Sequence, residues 1–184
     1  MDAILPGPAT NSIAMRESWK TLDPPETRTE LDFTESYNRS DFERIKRGLV
    51  PEEMEDKWFI FFEEPWLYFH KSWTGIGVYG VEFRPSLHGA LVAASWIGGD
   101  HHIEPDRNYH RAMLNFLIDA LLLRRPANFP IPDDFPHGVP KDLYQHHVAG
   151  AAYPQATFPA SQYAHGQSWA RFLRRFRRVK TPIS

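Results

Sequence analysis

The sequence predicts an α+β domain in which a four-stranded antiparallel meander packs against one long apolar helix, with extended arms at both ends. Two patterns lead to this fold class. Apolar residues alternate with period two in short runs between residues 57 and 97, and they follow a helical period from 106 to 123. Prolines gather towards both ends of the chain, where they interrupt regular structure.

The 184 residues are enough for one domain with a sizeable core. We divide them into an irregular N-terminal arm (1–39), an α+β core (40–125), a proline-rich extended segment (126–166) and a basic amphipathic helix (167–184). The aromatic residues of the arm are expected to dock it onto the core: Trp19, Phe33 and Tyr37.

The core begins with a short helix, for which Ser40 and Glu43 fit a capping box. The strands are expected at residues 57–62, 66–71, 78–83 and 90–97. Residues 84–89 are expected to form a loop, and Asp106 can cap the long apolar helix that follows. A helix that is apolar on most sides must be buried on most sides.

Composition excludes several classes of protein. The chain has no cysteine, which excludes disulfides, thiolate metal sites and cysteine catalysis. A net charge of −2 gives no strong field that would attract nucleic acid. The first residues lack the basic and apolar regions of a signal peptide, and no apolar run is long enough to span a membrane. These features favour a cytoplasmic protein.

The first candidate site lies at the end of the predicted hairpin of strands 57–62 and 66–71. Pairing would bring Lys57 and Trp58 level with His70 and Lys71. The candidate catalytic residues are His70, Lys57, Asp56, Ser72 and Thr74, and the candidate ligand-binding residues are Trp58, Trp66, Tyr68 and Trp73. Such groups suit proton transfer, or recognition of a phosphate or a flat ring. The alternative is that His70 and Ser72 bond each other and nearby backbone at a sheet edge.

Two segments of this hairpin carry a resemblance. The run Met54-Glu55-Asp56-Lys57-Trp58-Phe59, followed by Trp66-Leu67-Tyr68-Phe69-His70-Lys71-Ser72-Trp73-Thr74-Gly75, resembles a pattern that recurs in uncharacterised bacterial proteins. Residues 117–122 are similar to the helix that follows in those proteins, so the resemblance covers residues 48 to 123. No activity is attached to that group, and the resemblance therefore implies no catalytic role.

A second candidate is a metal site on the long helix and the loop before it. Asp106 and His110 are four residues apart, and His102 could close on them. Their nitrogen and carboxylate ligands would suit zinc, manganese or iron. The alternative is that Asp106 only caps the helix and that the loop is solvated.

The C-terminal part offers two further contact surfaces. Its basic face could bind RNA, DNA or an anionic lipid surface through Arg171, Arg174, Arg175 and Arg178. The alternative is a face that is solvated, or paired with carboxylates within the fold or across a dimer. The long segment 126–166 could contact a partner or a second subunit.

Two functions follow from these patterns. The first is a non-catalytic bacterial binding or accessory protein, similar to an immunity protein or antitoxin, that holds a protein partner or a second copy through its aromatic sheet and its arms. The second is a small enzyme or ligand-binding domain for a nucleotide-like or phosphorylated substrate, with His70 as acid or base and Lys57 as the group that holds a small anion. No phosphate-binding loop or nucleophile-elbow motif is present, and the sequence leaves the identity of any cofactor open.

Overall fold

The computed structural model describes residues 13–52, 56–99, 106–132, 135, 144 and 148–149. The strands are β1 (Arg28–Glu30), β2 (Ser36–Asn38), β3 (Trp58–Glu63), β4 (Trp66–Lys71), β5 (Gly77–Ser86) and β6 (Gly89–Gly98). The helices are α1 (Arg39–Ile45) and α2 (Arg107–Phe116), and α2 continues into a π-helical segment, Leu117–Leu122. A single 3-10 turn, Arg16–Ser18, precedes them.

All six strands belong to one antiparallel sheet. Its order is β1-β6-β5-β4-β3, and β2 also pairs with β6. β1 pairs with the end of β6, from Trp96 to Gly98, whereas β2 pairs with its beginning, from Gly89 to Leu91. The two short strands therefore share one edge of the sheet, which β6 would otherwise expose.

The predicted four-stranded meander is wrong, because the sheet has six strands. β1 and β2 lie in the stretch that the sequence marks as an irregular arm. Each has three residues, with at most one buried side chain, so neither is long enough to show a period-two pattern. These strands form because β6 offers unpaired backbone groups, which is a tertiary cause that local sequence does not reveal.

The predicted long helix is also wrong, because the only substantial helix among the described residues has 16 residues and changes type along its length. In its second part Leu123 N–H donates to the Ile118 carbonyl at 2.9 Å, which is a π-helical spacing. The sequence did not reveal this change, because both helix types present nearly the same apolar pattern over two turns.

Two local predictions also differ from the structure. α1 is capped by Asn38, whose side-chain oxygen accepts from the Asp41 N–H at 2.9 Å, and not by a Ser40–Glu43 box. The expected loop at 84–89 is largely strand, since β5 runs to Ser86 and β6 begins at Gly89. Pro85 is tolerated there because β4 pairs with β5 only up to Glu82, so the missing N–H breaks no ladder on that side.

The sheet has two differently covered faces. On one face, side chains of β3 to β6 pack against α2 and the π-helical segment in the main core, which includes Trp58, Leu67, Phe69, Tyr79, Val81 and Ile97. On the other face, Phe59 and Phe61 pack with Ala14 of the N-terminal arm. We call this second side the arm face of the sheet.

Candidate functional site

The end of the β3–β4 hairpin brings the first group of predicted residues to one level. Trp58 is paired with Lys71, and Phe59 with His70. Because neighbours along a strand point to opposite faces, His70 lies on the arm face and Lys71 on the core face. The imidazole and the Lys71 ammonium therefore belong to two separate environments.

His70 is 1% exposed and is held by its own turn. Its Nδ1 lies 2.8 Å from the Gly75 carbonyl oxygen, an acceptor, so Nδ1 carries the proton and donates it. The ring packs beside Phe61, with 5.4 Å between ring centroids. Burial lowers the pKa of His70, and the bond to Gly75 offsets only part of this effect. The side chain is therefore a neutral, enclosed imidazole.

The other predicted polar residues bond the backbone around the same turn. Ser72 Oγ donates to the Asp56 carbonyl at 2.6 Å, and Asp56 Oδ2 accepts from the Glu52 N–H at 2.9 Å. Thr74 Oγ1 accepts from the Ile76 N–H at 3.3 Å. The Ser72–Asp56 bond joins the segment before β3 to the turn after β4. Their catalytic role stays a prediction.

Two lysine–tryptophan pairs frame the hairpin end. The Lys71 ammonium lies 3.7 Å from the ring centroid of Trp58, and the Lys57 ammonium lies 4.2 Å from that of Trp73. Burial, and to a lesser degree the positive charge of Lys57, lowers the pKa of Lys71 to about 7. Sequence patterning identified Lys57, Trp58 and Trp73 but assigned no role to Lys71.

Trp66 and Tyr68 lie on the arm face, in an aromatic cluster with Trp96. The ring centroids of Trp66 and Tyr68 are each within 6.5 Å of that of Trp96. The Arg28 guanidinium lies 4.9 Å above the Trp96 ring, and that of Arg16 lies 5.6 Å from Tyr68. Nε1 of Trp96 is buried and has no hydrogen-bond partner among the described residues.

The predicted metal residues take part in other contacts. Asp106 caps α2, with its carboxylate accepting from the Tyr109 N–H at 3.1 Å. His110 Nδ1 lies 2.8 Å from the Tyr79 hydroxyl. His102 lies outside the described residues, and within them no group of three metal-ligating side chains is found. The metal site therefore stays a prediction.

Sequence reasoning missed a group of tyrosines next to His110. The Tyr109 and Tyr144 hydroxyls are 2.8 Å apart, and burial is the main cause that raises the pKa of Tyr109. Burial also raises the pKa of Tyr79, which stacks on Trp58. Spacing could not have found this group, because Tyr144 comes from the proline-rich segment and Tyr79 has an ordinary core position on its strand.

An exposed apolar patch surrounds the turn between β4 and β5. Its four members are Trp19, Leu22, Trp73 and Ile76, which are 40%, 49%, 63% and 37% exposed. The first two belong to the N-terminal arm, which is bonded to the turn: Trp19 Nε1 donates to the Ser72 carbonyl at 2.9 Å, and the Leu22 N–H donates to that of Gly75 at 2.8 Å. We call these four residues the arm–turn patch.

The basic residues of the C-terminal segment, Arg171, Arg174, Arg175 and Arg178, lie outside the described residues. Within the described ranges, none of the helices has the length and apolar character needed to cross a bilayer.

A scan against protein-family models and searches of curated proteins and of solved structures found no match for this chain.

Proposed function

We propose that this chain is a non-catalytic binding protein and that it contacts a protein partner through the arm–turn patch. The observation that carries the proposal is the clustering of exposed apolar side chains. Large apolar side chains exposed singly are ordinary on a protein surface, but a contiguous group is typical of an interface. Here, four of them lie on two distant segments of the chain that are hydrogen-bonded to each other.

The position of the patch favours a preformed contact surface. The Trp19–Ser72 and Leu22–Gly75 bonds hold the arm in register with the turn, so less ordering is required when a partner binds. On the arm face, the guanidinium of Arg16, three residues before Trp19, lies 5.6 Å from the Tyr68 ring centroid. Tryptophan, tyrosine and arginine are the side chains that contribute most at protein interfaces.

The enzyme hypothesis has less support from the geometry. An acid–base group must reach its substrate, whereas His70 is enclosed and bonds the backbone of its own turn. Asp56, Ser72 and Thr74 also bond backbone groups. These contacts favour a structural use of the predicted catalytic set.

A pair of matched variants tests the binding proposal. The test variant carries Leu22→Ser and Trp73→Ser, which remove two exposed patch side chains. The control is Leu87→Ser, because Leu87 is 92% exposed and lies in the β5–β6 turn, away from the patch. Complexes formed in cells of the source organism would be captured with each tagged chain, and self-association would be measured by sedimentation.

We expect the patch variant to lose a partner, or a second copy of this chain, that the wild-type and Leu87→Ser proteins both retain. The loss should exceed tenfold in affinity, the effect of removing about 1.4 kcal/mol of contact energy. Equal binding by all three proteins, with their folds intact by circular dichroism, would contradict the proposal.

A further inference from the structure

The middle of the arm face carries an aromatic surface that lies outside the arm–turn patch. Tyr68, Gly80 and Trp96 are direct neighbours on β4, β5 and β6, so they form one row across the sheet and point to the same face. Trp66 lies in the next row, opposite Glu82. The three aromatic ring centroids are 6.3 to 6.5 Å from one another, so the rings form one continuous cluster.

Gly80 determines where the Trp96 indole lies. A Cβ atom on Gly80 would overlap the indole at Cε2, Cζ2 and Nε1, so this edge of the ring lies directly over β5. The indole N–H is on this edge, in the middle of the row and on the side of Tyr68. Trp96 is 6% exposed, and its Nε1 has no acceptor among the described residues. A buried donor without an acceptor costs free energy, which a ligand that supplies the acceptor would recover.

The N-terminal arm and β1 border this cluster on two sides. The Arg16 guanidinium lies 5.6 Å from the Tyr68 ring centroid, and the Arg28 guanidinium lies 4.9 Å from that of Trp96. Between the two arginines, Trp66 and Tyr68 are only half-buried, so part of each ring can be contacted by a ligand. Aromatic rings bordered by a few polar groups are typical of small-molecule sites.

The charged side chains next to the cluster have both signs. Arg28 is exposed and donates from Nε to the Pro25 carbonyl at 2.8 Å, and it has no ion pair in the described ranges. Glu30 and Glu82 lie on the same face, and within those ranges neither carboxylate has an ion pair. The two carboxylates would repel an anion and Arg28 would repel a cation. This arrangement favours an uncharged ligand that offers both donors and acceptors.

We propose that the middle of the arm face binds a carbohydrate, with a sugar ring packed against Trp66 and Tyr68. A pyranose has an apolar face of C–H groups, which packs on indole and phenol rings. Its hydroxyl groups both donate and accept hydrogen bonds. Arg28 and Trp96 Nε1 would donate to these hydroxyl groups, and Glu82 would accept from them. The chemistry that recognises both parts of a sugar is therefore present on one face of the sheet.

Calorimetric titration of the full chain with three linear oligosaccharides would test the site. The probes are cellohexaose, chitohexaose and maltohexaose, and adenine and benzoate serve as flat-ring probes without a sugar. The test variants are Trp66→Leu and Arg28→Met. Their matched controls are Trp73→Leu, at an exposed tryptophan of the arm–turn patch, and Arg39→Met, at an exposed arginine of α1.

We expect the wild-type chain to bind at least one of the oligosaccharides. Trp66→Leu should weaken this binding about tenfold and Arg28→Met about threefold, whereas both controls should stay within about twofold of the wild type. Trp66→Phe should retain most of the affinity because it keeps a ring, which separates a loss of stacking surface from a loss of fold. In NMR spectra, the indole N–H signal of Trp96 should shift on addition of the oligosaccharide, and that of Trp73 should not.

The proposal would be overturned if none of the three oligosaccharides bound, or if Trp73→Leu weakened binding as much as Trp66→Leu. Binding of adenine or benzoate without any oligosaccharide would also overturn it, and would identify a flat-ring ligand instead. This test is separate from that of the protein partner, because Trp66 is not part of the arm–turn patch. Failure of the carbohydrate site would leave the partner proposal standing, and the reverse also holds.

Discussion

His70 and Lys71 are neighbours in the sequence, yet they face opposite sides of the sheet and are buried in different surroundings. Burial lowers the pKa of both side chains, because water no longer stabilises their charged forms. Aromatic rings and the Gly75 carbonyl oxygen surround the His70 imidazole in place of water. The Trp58 ring lies against the Lys71 ammonium in the same way. Period-two alternation predicts which face each residue takes. It does not predict that the partner of His70 is a backbone atom five residues away.

The His70 environment leads to a pH-dependent stability. Its pKa is lower in the folded chain than the ordinary value of 6.5, so below that pH the unfolded chain binds more protons. The contribution of His70 to the free energy of unfolding should therefore be complete above pH 6.5 and be lost as the pH drops below it, by at most about 1.4 kcal/mol per pH unit. Urea unfolding at pH 7.5, 6.5 and 5.5 would measure the slope.

His70→Asn is the informative variant, because the asparagine NH₂ group can still donate to Gly75 but does not titrate. Its stability should vary less with pH over this window than that of the wild type. His88→Asn, at an exposed position in the β5–β6 turn, should keep the wild-type slope. Identical slopes for all three proteins would show that His70 does not cause the pH dependence.

At the scale of elements, the strands with a strong apolar pattern could be predicted from the sequence, and those held only by a neighbour could not. β3 and β4 have six residues each, and their apolar pattern locates them within one residue. β1 and β2 need β6, which lies far along the chain. The start of α1 was placed on the wrong residue because both Asn38 and Ser40 are good N-cap residues. Only the path of the chain leaving β2 decides between them.

The competing caps of α1 give a direct test. Asn38→Ala removes the oxygen that accepts from Asp41 N–H, and also the amide that donates to the Asp41 carboxylate at 2.8 Å. We expect it to lower the free energy of unfolding by about 1 kcal/mol. Ser40→Ala should change it by less than half of that, since Ser40 is exposed within the helix. Chemical denaturation would compare them, and a larger loss for Ser40→Ala would restore the capping-box prediction.

For the whole molecule, the N-terminal arm is part of the fold as well as of the proposed contact surface. Ala14 is 1% exposed against Phe59 and Phe61, and Arg16 pairs with Glu63 at the edge strand. The sequence located aromatic residues that could dock the arm, but not their positions: Phe33 and Tyr37 are buried in the main core, whereas Trp19 contacts the β4–β5 turn. The Trp19 indole donates to a backbone carbonyl of that turn, and the Leu22 N–H donates to another; which carbonyls accept these bonds leaves no trace in the sequence.

Shortening the arm should therefore weaken the fold. A chain beginning at residue 23 loses Ala14, Arg16 and Trp19, and uncovers part of the arm face. We expect a loss of about 2 kcal/mol of unfolding free energy, which is roughly 4–8 °C in Tm. A chain beginning at residue 13 is the control that isolates these contacts. Equal melting temperatures for the two chains would show that residues 13–22 do not contribute to the stability of the fold.

The shared edge of β6 also determines the order in which the chain can assemble during synthesis. β1 and β2 leave the ribosome early, but their pairing partner β6 is the last of the described strands to be made. The hairpins from β3 to β6 join neighbours in sequence and can form as soon as they emerge. The two N-terminal strands therefore stay unpaired until β6 has formed, and they then pair with its free edge. If translation pauses before β6 is made, β1 and β2 have no pairing partner. We expect chaperones to bind the nascent chain at that stage.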